Sequence, residues 1–225
     1  AIGSRALESN TTGTENVAVG SNNPLGANTT GANNTAMGSF ALRNNTTANN
    51  NSAFGKNALY ANSTGISNVA LGSSALENNT TASNNTAVGY RSLLANTTGA
   101  QNTAVGTNAG DAITTGSYNV GLGTNAIGAV TTGSNNVGLG VQALFNTTGS
   151  NNVAVGTTAM NATTSASNNT AVGNNALAAN TTGANNVAIG ALSLDASTTA
   201  SDNVAIGLNA AGGTTTGAGN IAIGT

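Results

Sequence analysis

A chain of 225 residues with only four Lys and Arg side chains and a net charge of −2 offers no dense basic patch. Phosphate neutralisation needs such a patch, so nucleic acid is not expected as a partner. The chain lacks His and Cys and has six carboxylates, too few positioned acids, bases and nucleophiles for an enzyme, and nothing calls for a metal or another cofactor.

Membrane insertion is not expected either, because no apolar run approaches the roughly 20 residues that a spanning helix needs. Asn, Thr, Ser and Gly dominate, as they do in disordered low-complexity chains, but a disordered chain needs no fixed apolar position. This chain has one. A phrase of the form Asn-Val-Ala-Ile-Gly recurs throughout, with its glycine at Gly3, Gly20, Gly38, Gly55, Gly72, Gly89, Gly106, Gly123, Gly140, Gly156, Gly173, Gly190, Gly207 and Gly224. The 221 residues from Gly3 to Gly224 contain 13 steps with a mean of 17. A period of this size is the mark of a solenoid whose repeats bury their apolar faces only by stacking. The expected fold is all-β, a parallel β-solenoid of about 13 coils of 17 residues, forming one repeat-array domain over 1–225. The chain opens and closes inside a phrase, so it is expected to be a length of a longer array.

Each coil is numbered here from its glycine as position 0. In the coil that starts at Gly173, Ala176-Leu177 forms a short apolar segment, Asn180-Thr181-Thr182-Gly183 carries turn chemistry, and Asn186-Val187-Ala188-Ile189 leads into Gly190. The last of these alternates with the period of a strand. Ala-Leu is too short between its breakers to nucleate a helix. The two irregular steps keep the phrase in register: an extra residue lies in Ser21-Asn22-Asn23 before Pro24, and a missing one lies between Leu144 and Asn146.

The residue before each glycine is large: Val19, Met37, Phe54, Leu71, Val88, Val105, Leu122, Leu139, Val155, Val172, Ile189, Ile206 and Ile223. Burial of a Val or Leu is worth about 1.5–3 kcal/mol, which places this column inside the coil with the Leu column. The Ala or Gly before it then forms a smooth outer stripe where another chain can approach. The opposite arrangement has the small residues filling a thin interior and the large ones facing a partner.

Asn opens every phrase, at Asn16, Asn34, Asn51, Asn68, Asn85, Asn102, Asn119, Asn136, Asn152, Asn169, Asn186, Asn203 and Asn220. A structural ladder of amides bonding from coil to coil accounts for this column. The ten charged residues fall only at positions 1, 2, 5 and 12, where the frame expects solvent. The pairs Glu8 with Glu15 and Asp195 with Asp202 are read as solvated charges, since no cleft-forming insertion encloses them. Sequons begin at Asn10, Asn28, Asn62, Asn96, Asn146 and Asn180, most of them at a turn expected to be exposed, and would be glycosylation acceptors in an extracellular chain.

The stretch Asn85-Thr86-Ala87-Val88-Gly89-Tyr90-Arg91-Ser92-Leu93-Leu94-Ala95-Asn96-Thr97-Thr98-Gly99 resembles the repeats of bacterial and phage tail-fibre-type surface proteins. The phrase is also similar to the head repeats of trimeric autotransporter adhesins, left-handed parallel β-rolls assembled as trimers. The resemblance implies a structural extracellular fibre or stalk on a cell surface or virion, with copies of itself as partners in a homotrimer or filament. An adhesin or receptor-binding shaft with a host-surface or glycan receptor is the alternative, suggested by the departures at Pro24, Tyr60, Tyr90, Tyr118 and Phe145. Ice binding by the recurring Thr pairs, such as Thr29-Thr30 and Thr181-Thr182, is a further one, weakened because adjacent residues point to opposite faces.

Overall fold

A computed structural model describes all residues, Ala1–Thr225, as a parallel β-solenoid with one three-residue strand per 17-residue coil and no helix. The contacts gather into two units, 1–115 and 116–225. Unit 1 holds β1 (Val17–Val19), β2 (Thr35–Met37), β3 (Ser52–Phe54), β4 (Val69–Leu71), β5 (Thr86–Val88) and β6 (Thr103–Val105). Unit 2 holds β7 (Val120–Leu122), β8 (Val137–Leu139), β9 (Val153–Val155), β10 (Thr170–Val172), β11 (Val187–Ile189), β12 (Val204–Ile206) and β13 (Ile221–Ile223). Within each unit successive strands pair in parallel without slippage, so that Thr35, Ala36 and Met37 stand beside Ser52, Ala53 and Phe54. Both irregular steps are absorbed outside the strands, and Val17 to Val19 still align with Thr35 to Met37.

The middle residue of each strand points inward, which corrects the first of the two arrangements weighed above. Ala18, Ala36, Ala53, Ala70, Ala87, Ala104, Ala154, Ala171, Ala188 and Ala205 are fully buried. The large residues beside them face out. In unit 1 these are Val19, Met37, Phe54, Leu71, Val88 and Val105, and in unit 2 Leu122, Leu139, Val155, Val172, Ile189, Ile206 and Ile223; all are half-buried or exposed, with Leu71 at 49%. A three-residue strand has one residue on one face and two on the other. Position 16 therefore shares its face with position 14, where Thr35, Ser52, Thr86 and Thr103 sit. The interior accepts nothing larger than Ala because the opposite wall is close. That wall is the Leu column, including Leu42, Leu59, Leu76 and Leu93, all fully buried.

The Ala-Leu segment is a chain of tight turns. The Ala41 amide donates to Gly38 O at 3.3 Å, Arg43 to Phe40 O at 3.3 Å, and Asn45 to Leu42 O at 3.2 Å. The amides in between reach the next coil, Leu42 to Ala58 O at 3.0 Å and Asn44 to Tyr60 O at 3.2 Å. Serving both directions requires a left-handed residue at positions 2 and 4; Phe40 has φ 62° and Leu42 has φ 49°. Left-handed geometry costs an L-residue roughly 1–2 kcal/mol. Burying the leucine returns about 1.5–3 kcal/mol, so the column is held by its own burial. The glycine that precedes these turns is obligatory. Gly55 has φ 135°, and a Cβ there would stand 2.5 Å from the carbonyl oxygen of Gly72.

One coil shows how closely the two walls meet. Ile127 occupies the Leu position, and the inward strand residues around it are Gly121 and Gly138 in place of Ala. A Cβ on Gly138 would come within 2.8 Å of Ile127 Cγ2, the branch methyl that leucine lacks. Gly138→Ala is expected to lower stability by about 1–3 kcal/mol through overpacking, and Ile127→Leu in the same chain to restore most of it. Thermal denaturation of the two single variants and the double variant checks this.

Candidate functional site

The phrase-opening asparagines bring together more than any other residue type in the chain. Between Asn34 and Asn203 they are all buried, and within each unit they hold the following coil through its backbone. Asn34 Oδ1 accepts the Asn51 backbone amide at 3.0 Å, and Asn34 Nδ2 donates to Ala48 O at 2.8 Å. Asn51 repeats this with the Asn68 amide at 3.0 Å and Gly65 O at 2.9 Å. The amide-to-amide contact expected of a ladder is the longer one, Asn51 Nδ2 to Asn34 Oδ1 at 3.3 Å. In unit 2 the same arrangement links Asn152, Asn169, Asn186 and Asn203. A left-handed residue precedes each of these asparagines, for example Asn50 at φ 61° and Asn185 at φ 57°, and turns the chain into the corner.

A second buried ladder runs through the sequons. Asn28 Nδ2 donates to Asn10 Oδ1 at 2.7 Å, Asn45 to Asn28 at 2.8 Å, Asn62 to Asn45 at 3.0 Å, Asn79 to Asn62 at 2.8 Å and Asn96 to Asn79 at 2.9 Å. The expectation that these sequons lie exposed is corrected: Asn28, Asn62, Asn96 and Asn180 are fully buried, and Asn10 is half-buried. Position 7 faces the interior whichever residue fills it, and an asparagine there also closes its own turn, as Asn62 does on Gly65 O at 3.0 Å. Asn146 alone of the six is exposed, since the missing residue in its coil moves Thr147 into the buried place. The signal for this ladder was the recurrence of Asn seven residues after glycine, which also reads as ordinary turn chemistry.

The ladder stops at Asn96, because the next coil carries Ile113 at the same position, and Asn96 Oδ1 is buried without a partner. In unit 2 the position is filled by Val130, Thr147, Thr163, Asn180 and Ser197, and Asn180 turns its Oδ1 to its own Gly183 amide at 3.0 Å. The first Thr of each pair also holds the next coil: Thr29 Oγ1 donates to Thr46 O at 3.1 Å and Thr181 Oγ1 to Thr198 O at 2.9 Å. The second, such as Thr30 or Thr182, faces solvent in a single file.

None of the ten charged residues is buried, and Arg5 and Glu8 form an exposed ion pair at 2.8 Å. No three His, Cys, Asp or Glu side chains converge, and no helix is long and apolar enough to cross a membrane. The Ala and Gly stripe lies inside the coil, where no second chain can reach it. Among the departures from the repeat, Tyr90 and Tyr118 stand exposed. Tyr60 instead joins a cluster. Its ring meets Phe40 edge-on at 6.3 Å, the Arg43 guanidinium lies 5.3 Å from the Phe40 ring centre, and Arg43 donates to the Tyr60 hydroxyl at 2.8 Å. Burial pushes the Asp111 carboxyl above the usual aspartate range, against the pull of Arg91 and of a backbone hydrogen bond. No family model, curated protein or solved structure matches the chain.

Asn62→Ala leaves Asn45 Oδ1 without its donor and is expected to cost about 1–3 kcal/mol, whereas Asn44→Ala on the surface changes stability by less than about 0.5 kcal/mol. Asn51→Ala also strips the Asn68 amide of its acceptor and should cost more than Asn62→Ala. Local hydrogen exchange in the affected coils measures all three. For Asp111 the folded chain holds the proton more tightly than the unfolded chain, so its contribution is favourable at low pH and is lost as pH rises through the carboxylate range. Asp111→Asn should therefore raise the melting temperature at neutral pH, and the gain should vanish in acid.

Proposed function

We propose that this β-solenoid is a structural shaft, a segment of an extracellular fibre or stalk on a cell surface or virion. The observation that carries the reading is where the polar side chains go. The columns at positions 8 and 13, and in unit 1 the asparagines at position 7, hold the coil beside them, as Thr29, Asn51 and Asn62 show, so their chemistry is directed along the array. A function performed identically in every coil is a mechanical one, and nearest-neighbour stacking lets such an array lengthen by whole repeats. The resemblance of Asn85 to Gly99 to tail-fibre-type repeats supports the extracellular setting.

An adhesive shaft is the second reading, favoured by the Phe40, Arg43 and Tyr60 cluster, which breaks the repeat with an aromatic and cationic surface suited to a sugar ring. Two measurements separate these readings. Excision of one 17-residue coil, Lys56 to Gly72, is expected to leave the chain folded and slightly less stable, as a modular shaft requires. On a glycan array the intact chain is expected to retain nothing; retention that is lost in Tyr60→Ala and Arg43→Ala would replace the shaft with the adhesin. Ice binding would show as thermal hysteresis, and none is expected, because one hydroxyl column already donates to backbone carbonyls.

A further inference from the structure

Several columns bond coil to coil in the same way in both units. At position 13 the Asn51 Oδ1 accepts the Asn68 amide at 3.0 Å in unit 1, and Asn152 Oδ1 accepts the Asn169 amide at 3.0 Å in unit 2. At position 8 the Thr80 hydroxyl donates to Thr97 O at 3.1 Å and the Thr164 hydroxyl to Thr181 O at 3.0 Å. The amide of the buried leucine reaches the next coil in both, Leu76 to Ser92 O at 3.0 Å and Leu177 to Ser193 O at 2.9 Å. Position 7 is the exception. From Asn28 to Asn96 each asparagine there donates twice through Nδ2, to the carboxamide of the preceding coil and to a carbonyl of its own turn, as Asn79 does to Asn62 Oδ1 at 2.8 Å and to Ala82 O at 3.0 Å. In unit 2 both bonds are missing at Val130, Thr147, Thr163 and Ser197, and the hydroxyls of Thr163 and Ser197 are buried without a partner. Asn180 is the one asparagine left in that column, and it turns both ends of its amide onto its own Gly183.

A stacked array passes a pull from coil to coil in series, and its stability is a sum of coil terms and nearest-neighbour interfaces, so the weakest interfaces open first. With these other bonds matched, the interfaces of unit 2 lack the interior amide rung and enclose two hydroxyls whose lost hydration nothing replaces. We infer that unit 2 is the yielding segment of the shaft, opening and reclosing under a load or at a temperature at which unit 1 stays closed. The difference is confined to a column that does not set register. Opened coils can therefore restack correctly, because the asparagines of position 13, among them Asn152, Asn169 and Asn186, still fix where each strand begins. A shaft with one compliant length lengthens before its stiff length fails. The inference rests on the shaft reading for the use of this property, and on the position 7 column for its cause.

Native-state hydrogen exchange of the full chain in mild denaturant reads the opening of each strand separately. The strands to compare are β4 and β5 with β10 and β9, which stand equally many strands from the two ends of the chain, so fraying acts on both sets alike. The amides of β9 and β10 are expected to exchange about tenfold faster or more. Thr163→Asn with Ser197→Asn places an asparagine on each side of Asn180, rebuilds the ladder across three coils, and is expected to close most of that gap. Asn79→Val is expected to open the same gap in β4 and β5. In an optical trap the unmodified chain, held by its two ends, is expected to lengthen first in a reversible step that moves to higher force in the Thr163→Asn and Ser197→Asn chain. Equal exchange in the two sets of strands, lengthening in a single step, or a folded Thr163→Asn and Ser197→Asn chain that exchanges no more slowly than the unmodified one would overturn the inference. The comparison within the unmodified chain decides the matter if a variant fails to fold. None of these outcomes touches the shaft reading, which stands or falls on coil excision and glycan retention.

Discussion

The phrase-opening asparagine is the contact on which the rest of a coil depends. Its carboxamide occupies a corner where two backbone groups of the next coil, an amide and a carbonyl, would otherwise be buried unpaired. With Oδ1 on one and Nδ2 on the other it satisfies both and sets the axial position of the next coil at the same time. The strand begins one residue later, so its register follows from that corner. No shorter or charged side chain presents a donor and an acceptor at that reach, which is why no other residue type appears in the column.

With the corner set, the interior is narrow. One inward alanine faces one leucine, and the leucine sits in a backbone conformation that its own side chain disfavours. The alternation of left- and right-handed residues lets every second amide close a turn while the others reach the neighbouring coil, so the turn segment contributes coil-to-coil bonds much as a strand would. The strain is tolerable because it coincides with burial. Where the leucine becomes Ile127, the facing residues become Gly121 and Gly138, and the same gap is filled from the other side.

The two units achieve this with different interiors. Unit 1 has a continuous amide ladder from Asn10 to Asn96 behind a mixed outer face, whereas unit 2 replaces most of those amides with Val130, Thr147, Thr163 and Ser197 and carries an apolar outer face. A ladder of amides is strong only while each acceptor has a donor above it, as the unpaired Asn96 Oδ1 at its end shows.

Much of this was legible in the amino-acid order. The period, the single strand per coil, the harmless position of both irregular steps, the outward charges and the special place of Asn51 and its equivalents all follow from which residue types recur and which vary, because a stacked array imposes the same environment on every copy of a position. The facing of the strand was not read correctly, although Thr35 and Ser52 on the same side as Met37 and Phe54 carried the information. Burial energy favours a large residue inside when all else is equal. Closure of the coil decided otherwise: the opposite wall already holds a leucine, and the remaining gap admits only a methyl group. The second ladder was likewise hidden, because an asparagine in a turn bonds its own backbone in either case. Only the stacking of coils brings Asn62 within 3.0 Å of Asn45 and turns a local turn residue into a column that crosses the interior.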